Sequence, residues 1–215
     1  MNPPTIQSTV ATGATLLVVR HGESEWNAAG RWQGWGDPPL SFAGRRQAEG
    51  AGQGLAGRFD AVVSSDLWRA VETAQVLSDM LDIGEVRVDA RLRERDIGTW
   101  TGMTSAEIEA GSPGSIAAWQ GGELDRPGGG ETIAEFSDRV GEALNDLGLN
   151  QAGKTVLVCA HGGVVRYLDR IAGRPRPGPA AHLNGYWVNV RPPSIAVGQG
   201  FSPGRALESV TWQYR

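Results

Sequence analysis

An α/β fold is predicted, a three-layer sandwich in which helices flank a mostly parallel central sheet, with a small cap region beside it. Three observations carry this reading. Short apolar runs recur along the chain, segments of helical periodicity lie between them, and the runs are so continuously apolar that helices must cover both faces of the sheet. The runs are ATLLVV (14–19), FDAVVSS (59–65), a shorter VRVD (86–89) and TVLVCA (155–160), each bounded by polar, Gly or turn residues.

Between them Leu67, Ala70, Val71, Ala74, Leu77 and Leu81 recur at spacings of three and four, as do Ile133, Phe136, Val140, Leu144 and Leu147. Each set makes one apolar stripe on a helix. Residues 41–56, SFAGRRQAEGAGQGLA, are a weaker helix candidate, because each interior glycine costs about 1 kcal/mol relative to alanine. Residues 98–130 are rich in Gly and Trp; a structureless stretch of that length is uncommon unless it serves a site, so a lid or cap is expected there. From 174 onward PRPGP and RPPS break any helix, and YWVNV is expected as an edge strand.

A chain of 215 residues fits a single core. We expect one domain over 14–215 after a flexible, polar, Pro-containing N-terminus at 1–13. Hydrophobic residues at 40% and charged residues at 20% give a globular balance, and 31 Gly with 12 Pro predict many turns. A formal charge of -4 argues against a nucleic-acid or anionic-membrane partner, which needs a surplus of Lys and Arg on one face. The first apolar run is too short for a signal core or a membrane span, so a soluble, cytoplasmic protein is expected. The single cysteine, Cys159, excludes an internal disulfide and reads as a buried side chain. His21, His161 and His182 show no paired ligand spacing and no accompanying Cys or carboxylate cluster, so neither a metal nor a cofactor is expected.

The chemistry gathers at the strand ends, where α/β sheets bind ligands. Arg20-His21-Gly22 follows the first strand, Asp66-Leu67-Trp68-Arg69 the second, Leu92-Arg93-Glu94-Arg95 the third and His161-Gly162-Gly163 the fourth. A glycine directly after a strand lets backbone approach a ligand, and the helix start beyond it offers free N–H groups to an anion. Two arginines can clamp a phosphate, a neutral imidazole can attack it, and a carboxylic acid can protonate the departing alkoxide. Taken singly, each residue has a plainer explanation: a hydrogen-bonded structural histidine, a surface arginine, a member of the solvated charge run RLRERD. Their joint occurrence favours a phosphoryl-transfer site without metal.

The same stretches are similar to the motifs of the histidine phosphatase superfamily, which includes cofactor-dependent phosphoglycerate mutase. They are R-H-G-E-S-x-W-N (20–27), Q-G-W-G-D-x-x-L-S (33–41), S-S-D-L-x-R-A-x-x-T-A (64–74), L-R-E-R-D-I-G-x-W-x-G (92–102) and V-x-A-H-G-G (158–163), together spanning about 14–173. The resemblance implies a phosphoglycerate mutase-like fold. It implies His21 as the phosphorylated nucleophile, Arg20 and Arg69 as phosphate clamps, His161 as the second histidine and Glu94 as general acid. Ser24, which follows the mutase-like form of the first motif, is then expected to line the phosphate pocket with Asn27, Gln33, Gly34 and Gly162.

Relatives of this kind are phosphatases, acting on small phosphorylated metabolites such as glucosyl phosphoglycerate, ribazole phosphate, phosphoserine or sugar phosphates, or they are mutases. Mutases carry an additional basic insertion after the general-acid motif, whereas residues 101–130 here hold Glu107, Glu109, Glu123 and Asp125 against Arg126. That acidic cap, and the short link PGGGET at 127–132, favour a phosphatase. A mutase and a catalytically weak phospho-ligand-binding or regulatory protein are the alternatives. Trp26, Trp32, Trp35, Trp100 and Trp119 are open between stacking on substrate and packing under the cap. Arg95 and Arg45 are read as surface residues or further contacts to an acidic substrate, and His182 as structural or surface. The tail 174–215 is open between packing on the sheet, contributing to the site and forming a homodimer contact.

Overall fold

A computed structural model of the protein describes residues 13–55, 59–174, 178 and 180–203. The N-terminus expected to be flexible thus lies outside the described residues except for Gly13, as do 175–177, 179 and 204–215 of the tail.

Six strands form one sheet: β1 (Ala14–Arg20), β2 (Ala61–Ser64), β3 (Val86–Val88), β4 (Thr155–Ala160), β5 (Gly185–Arg191) and β6 (Ser194–Phe201), in the order β3-β2-β4-β1-β5-β6. The first four are parallel, and β5 and β6 are antiparallel to their neighbours. YWVNV therefore lies inside the sheet, between β1 and β6, and SIAVGQGF forms the edge. The expectation of an edge strand fails because the prolines of RPPS sit in the turn after β5 and leave the strand's own amides free to pair.

The helices are α1 (Glu25–Ala28), α2 (Phe42–Gln53), α3 (Trp68–Leu81), α4 (Ser105–Gly111), α5 (Ser115–Gly121), α6 (Ile133–Asn150) and α7 (Gly162–Ile171). Side chains along β1 alternate between two cores. Leu16 and Val18 pack with Phe136, Val140, Leu144, Val165 and Leu168 of α6 and α7. Leu17 and Val19 pack with Ala51 of α2 and Ala74 and Leu77 of α3. Burying each such Leu or Val contributes roughly 1.5–3 kcal/mol relative to leaving it exposed, so the near-continuous apolar run at β1 reflects demand from both faces.

Helix α2 forms despite its glycines. Ser41 caps it through the Gly44 amide at 3.0 Å, and its small residues Gly44, Ala48, Ala51 and Gly52 are buried. The stretch 98–130 is not structureless. It holds α4 and α5, and Ile97, Trp100 and Ile108 form a separate cluster packed by Trp32, Met103, Ile116, Trp119 and Leu124.

Candidate active site

Pairing register brings the two motif histidines together. Strands β1 and β4 run parallel with Arg20 opposite Ala160, so His21 and His161 each leave the sheet at the same level, and the His21 amide donates to the Ala160 carbonyl at 2.9 Å. Their ring centroids lie 5.2 Å apart, edge to face, and both rings are buried.

The His21 Nδ1 lies 2.5 Å from the Gly22 carbonyl, an acceptor, so Nδ1 carries the proton and Nε2 keeps its lone pair. Arg69 Nε donates to that Nε2 at 3.2 Å. Arg69, on the first turn of α3, is itself fully buried and donates through Nη1 to the Gly36 carbonyl at 2.6 Å and through Nη2 to Gly34 at 2.9 Å. Gly34 has φ +46, a conformation that turns its carbonyl to the guanidinium and that side chains disfavour. Arg20 donates to Ala180 while its Nε is buried without a partner.

Burial lowers the pKa of both arginines to about 10, leaving them cationic at neutral pH. Burial, then Arg69 and Arg20, push His21 well below the usual 6.5, and burial, then Arg69, His21 and Arg20, do the same to His161. Neutral imidazoles thus face paired guanidinium groups. Cys159, one residue before the end of β4, is fully buried, and burial lifts its thiol to about 12. It is a packing residue, not a nucleophile.

Glu94 reaches the start of α7, where the Gly163 amide donates to its Oε1 at 3.1 Å and its Oε2 at 3.0 Å. A Cβ on Gly163 would lie 2.1 Å from Oε1, so this close approach needs glycine. Arg139 of α6 holds the loop behind it, donating to the carbonyls of Arg91, Arg93 and Glu94 while paired with Glu131 at 2.7 Å.

Arg20, His21, Asn27, Gln33, Gly34, Arg69, Glu94 and Gly162 all border one cavity of about 1040 Å³. Ser24 is fully buried and is not among the bordering residues. Its hydroxyl donates to Gln33 Oε1 at 2.7 Å, and its amide to Asn27 Oδ1 at 3.2 Å. With both side-chain oxygens engaged, the two amides are left with their NH₂ groups as donors. Sequence reasoning placed Ser24 on the phosphate; the structure places it one layer back, orienting two residues that border the cavity.

Three residues lie nearer the site than the sequence suggested. The His182 ring is 6.1 Å from His21, and burial and Arg20 lower its pKa to about 4. Arg166 and Arg170 of α7 border the cavity. The visible signal was their four-residue spacing after Gly162, a cationic stripe on the helix that carries the second histidine motif. Arg95 also borders the cavity, and burial lowers its pKa. Arg45 is a surface residue paired with Glu72 at 2.7 Å. Of the tryptophans, Trp32 and Trp119 border the cavity and pack on Trp100, whereas Trp35 donates from its indole to the Glu94 carbonyl at 2.8 Å.

The sequence model of the histidine phosphatase superfamily (branch 1) matches residues 16–182. The chain belongs to this superfamily. It is 39% identical over 161 residues to the glucosyl-3-phosphoglycerate phosphatase of Mycolicibacterium vanbaalenii, covering 71% of each chain. It is 37% identical over 155 residues to the metal-independent phosphoserine phosphatase of Arabidopsis thaliana, covering 70% of this chain and 65% of that one. The solved mycobacterial glucosyl-3-phosphoglycerate phosphatase superposes with a TM-score of 0.69 at 31% identity, over 93% of this chain and 96% of its own. A 2,3-bisphosphoglycerate-dependent mutase is among the relatives too. This family member is a phosphatase with a phosphoglycerate mutase-like α/β fold.

Proposed function

We propose that this histidine phosphatase hydrolyses a small phosphorylated metabolite through a phosphohistidine on His21, without a metal. The observation that carries the reading is the pair of contacts on one imidazole. Nδ1 is tied to the Gly22 carbonyl at 2.5 Å, and Nε2 is left with its lone pair beside the Arg69 guanidinium. A nucleophilic nitrogen needs that tautomer, and a phosphoryl oxygen needs that cation.

In the first step the His21 Nε2 lone pair forms an N–P bond as the ester P–O bond breaks. Arg20 and Arg69 offset the charge on the equatorial oxygens, with the Asn27 and Gln33 amides and the start of α7 as further donors. Glu94, protonated, gives its proton to the departing oxygen. In the second step water attacks phosphorus, Glu94 takes the water proton, and phosphate leaves with His21 restored. His161 is fully buried and does not itself border the cavity, but its ring lies 5.2 Å from that of His21 with both nitrogens unpartnered, which supports it as a further contact to a phosphoryl group carried on His21. The segment 98–130 acts as a cap over this site within the single domain expected from the sequence.

A phosphatase is favoured over a mutase by how the acids of the cap are used. Glu107 caps α4 through the Thr104 amide, Glu109 accepts from the amides of Gly114 and Ile116, and Asp125 meets Arg95. The cations around the cap are paired, Arg31 with Glu107, Arg95 with Asp125 and Arg126 with Glu135, so none of these three is free to retain a bisphosphate. Among the described residues no helix is long and apolar enough to cross a membrane, and the reading places the enzyme with phosphorylated metabolites in the cytoplasm.

The test is release of phosphate from p-nitrophenyl phosphate in the presence of a chelator. Turnover that survives chelation and is lost in His21→Ala supports the proposal; binding without turnover supports the phospho-ligand-binding alternative instead.

A further inference from the structure

Glu94, the proposed acid, is carried by a stretch without regular structure: residues 94–97 belong to no helix or strand. Neither a strand ladder nor a helical turn fixes its backbone. Other groups must do so, because a reacting group misplaced by about 1 Å loses on the order of a hundredfold in rate. The Gly163 amide meets the carboxyl end of the residue. Two side chains hold the backbone end, for the Glu94 carbonyl accepts from the Trp35 indole Nε1 at 2.8 Å and from Arg139 Nη2 at 3.3 Å.

Trp35 is 39% exposed and does not border the cavity, so neither core packing nor stacking on substrate accounts for it. Its ring is nonetheless fixed. The Arg93 guanidinium lies 4.9 Å from the ring centroid and that of Arg139 lies 6.0 Å from it. Asp66 accepts from Arg93 Nε at 2.8 Å and Nη2 at 2.6 Å, and Glu131 accepts from Arg139 Nε at 2.9 Å and Nη2 at 2.7 Å. Trp35 also stands between the two carbonyls that Arg69 uses, Gly34 and Gly36. One tripeptide thus ties down the phosphate clamp through its backbone and the acid through its side chain.

We propose that Trp35 is a positioning residue which, with Arg139, sets the place of Glu94 relative to the Arg69 clamp. The proposal rests on the phosphatase reading above, in which Glu94 protonates the departing oxygen. An indole suits the task because it carries an N–H donor on a rigid ring whose face takes a guanidinium on top.

The experiment reads kcat/KM for p-nitrophenyl phosphate and phenyl phosphate, esters of similar shape whose leaving oxygens differ in basicity. A well-placed acid helps the more basic phenoxide most, so it narrows the gap between them. In the wild type the two values are expected within about tenfold of each other. In Trp35→Phe, which keeps a ring beside Arg93 and removes the N–H, phenyl phosphate loses about fivefold more than p-nitrophenyl phosphate does. In Trp35→Phe/Arg139→Met it loses about 30-fold more. Trp35→Phe decides the matter alone should the double variant not fold, because exchanging an exposed ring leaves the core intact. Glu94→Gln widens the gap at least as far.

Equal losses on both esters, or a gap that stays at its wild-type value in the Trp35 variants, overturn the positioning role. A wild-type gap far above tenfold, or one that Glu94→Gln leaves unchanged, removes Glu94 as the acid and the role of Trp35 with it. Absence of turnover on both esters contradicts the phosphatase reading itself.

Discussion

Arg69 Nε lies 3.2 Å from His21 Nε2 although 48 residues separate them in sequence, and both side chains are buried. The guanidinium thus donates to Nε2 and holds it unprotonated, as the proposed role of His21 as nucleophile requires. The same arrangement sets the protein's response to acid.

Stability falls as pH drops below about 6.5. His21 and His161 have folded pKa values well below that of a free imidazole, so the unfolded chain binds the extra protons in this window. The contribution is fully present above pH 6.5 and is lost on the acid side, at up to about 1.4 kcal/mol per pH unit for each buried imidazole. His182, lowered to about 4, acts in the same direction. Urea unfolding followed at pH 7.5, 6.5 and 5.5 reads the slope, and a flat profile contradicts the neutral-imidazole assignment.

Gly163→Ala loses activity without losing stability. The new Cβ would meet Glu94 Oε1 at 2.1 Å and the Phe136 ring edge at 3.1 Å. The end of a glutamate side chain moves cheaply, and helix α7 itself gains from alanine. The displaced carboxyl is the proposed acid, so kcat should fall by roughly 10- to 100-fold with the melting temperature little changed. Unaltered kcat would show that Glu94 acts from elsewhere.

Arg69→Lys damages both fold and chemistry. One ammonium cannot reproduce the fork that serves the Gly34 and Gly36 carbonyls together with His21. Leaving these buried acceptors unmet costs about 2 kcal/mol or more, and kcat/KM should fall by at least about 100-fold. Chemical denaturation and steady-state kinetics on the same preparation check the pair of effects; retention of either would limit Arg69 to the other role.

Added 2,3-bisphosphoglycerate should not convert the enzyme into a mutase. The cations beside the cap are paired, Arg31 with Glu107, Arg95 with Asp125 and Arg126 with Glu135, so none of the three is free there to hold the bisphosphate. Interconversion of 2- and 3-phosphoglycerate that depends on that compound, followed by NMR, would overturn the phosphatase assignment.

The layers and most strand positions were legible because burial on two faces writes continuous apolar runs such as 14–19 and 155–160, and helical stripes such as 133–147 survive as α6. YWVNV was placed at an edge because its flanking prolines are a local signal, whereas strand order depends on pairing with β1, which is distant in sequence. The cavity residues were legible through motifs, which preserve spacing along the chain. Ser24 shows what motifs leave out: they name a residue but not the layer it occupies, and only its contacts to Gln33 and Asn27 reveal an orienting role. Arg166 and Arg170 were missed because a cation on an amphipathic helix ordinarily faces solvent, and only the tertiary position of α7 turns that stripe to the cavity.

The most direct test is acid-quench and alkaline-quench trapping during turnover, with mass-spectrometric mapping of the phosphorylated residue. A phosphoryl group on His21, labile in acid and stable in alkali, and absent from His21→Ala, is the expected result. Steady turnover with no covalent phosphate, or with the group on His161 instead, would contradict the assignment of Nε2 of His21 as the attacking atom.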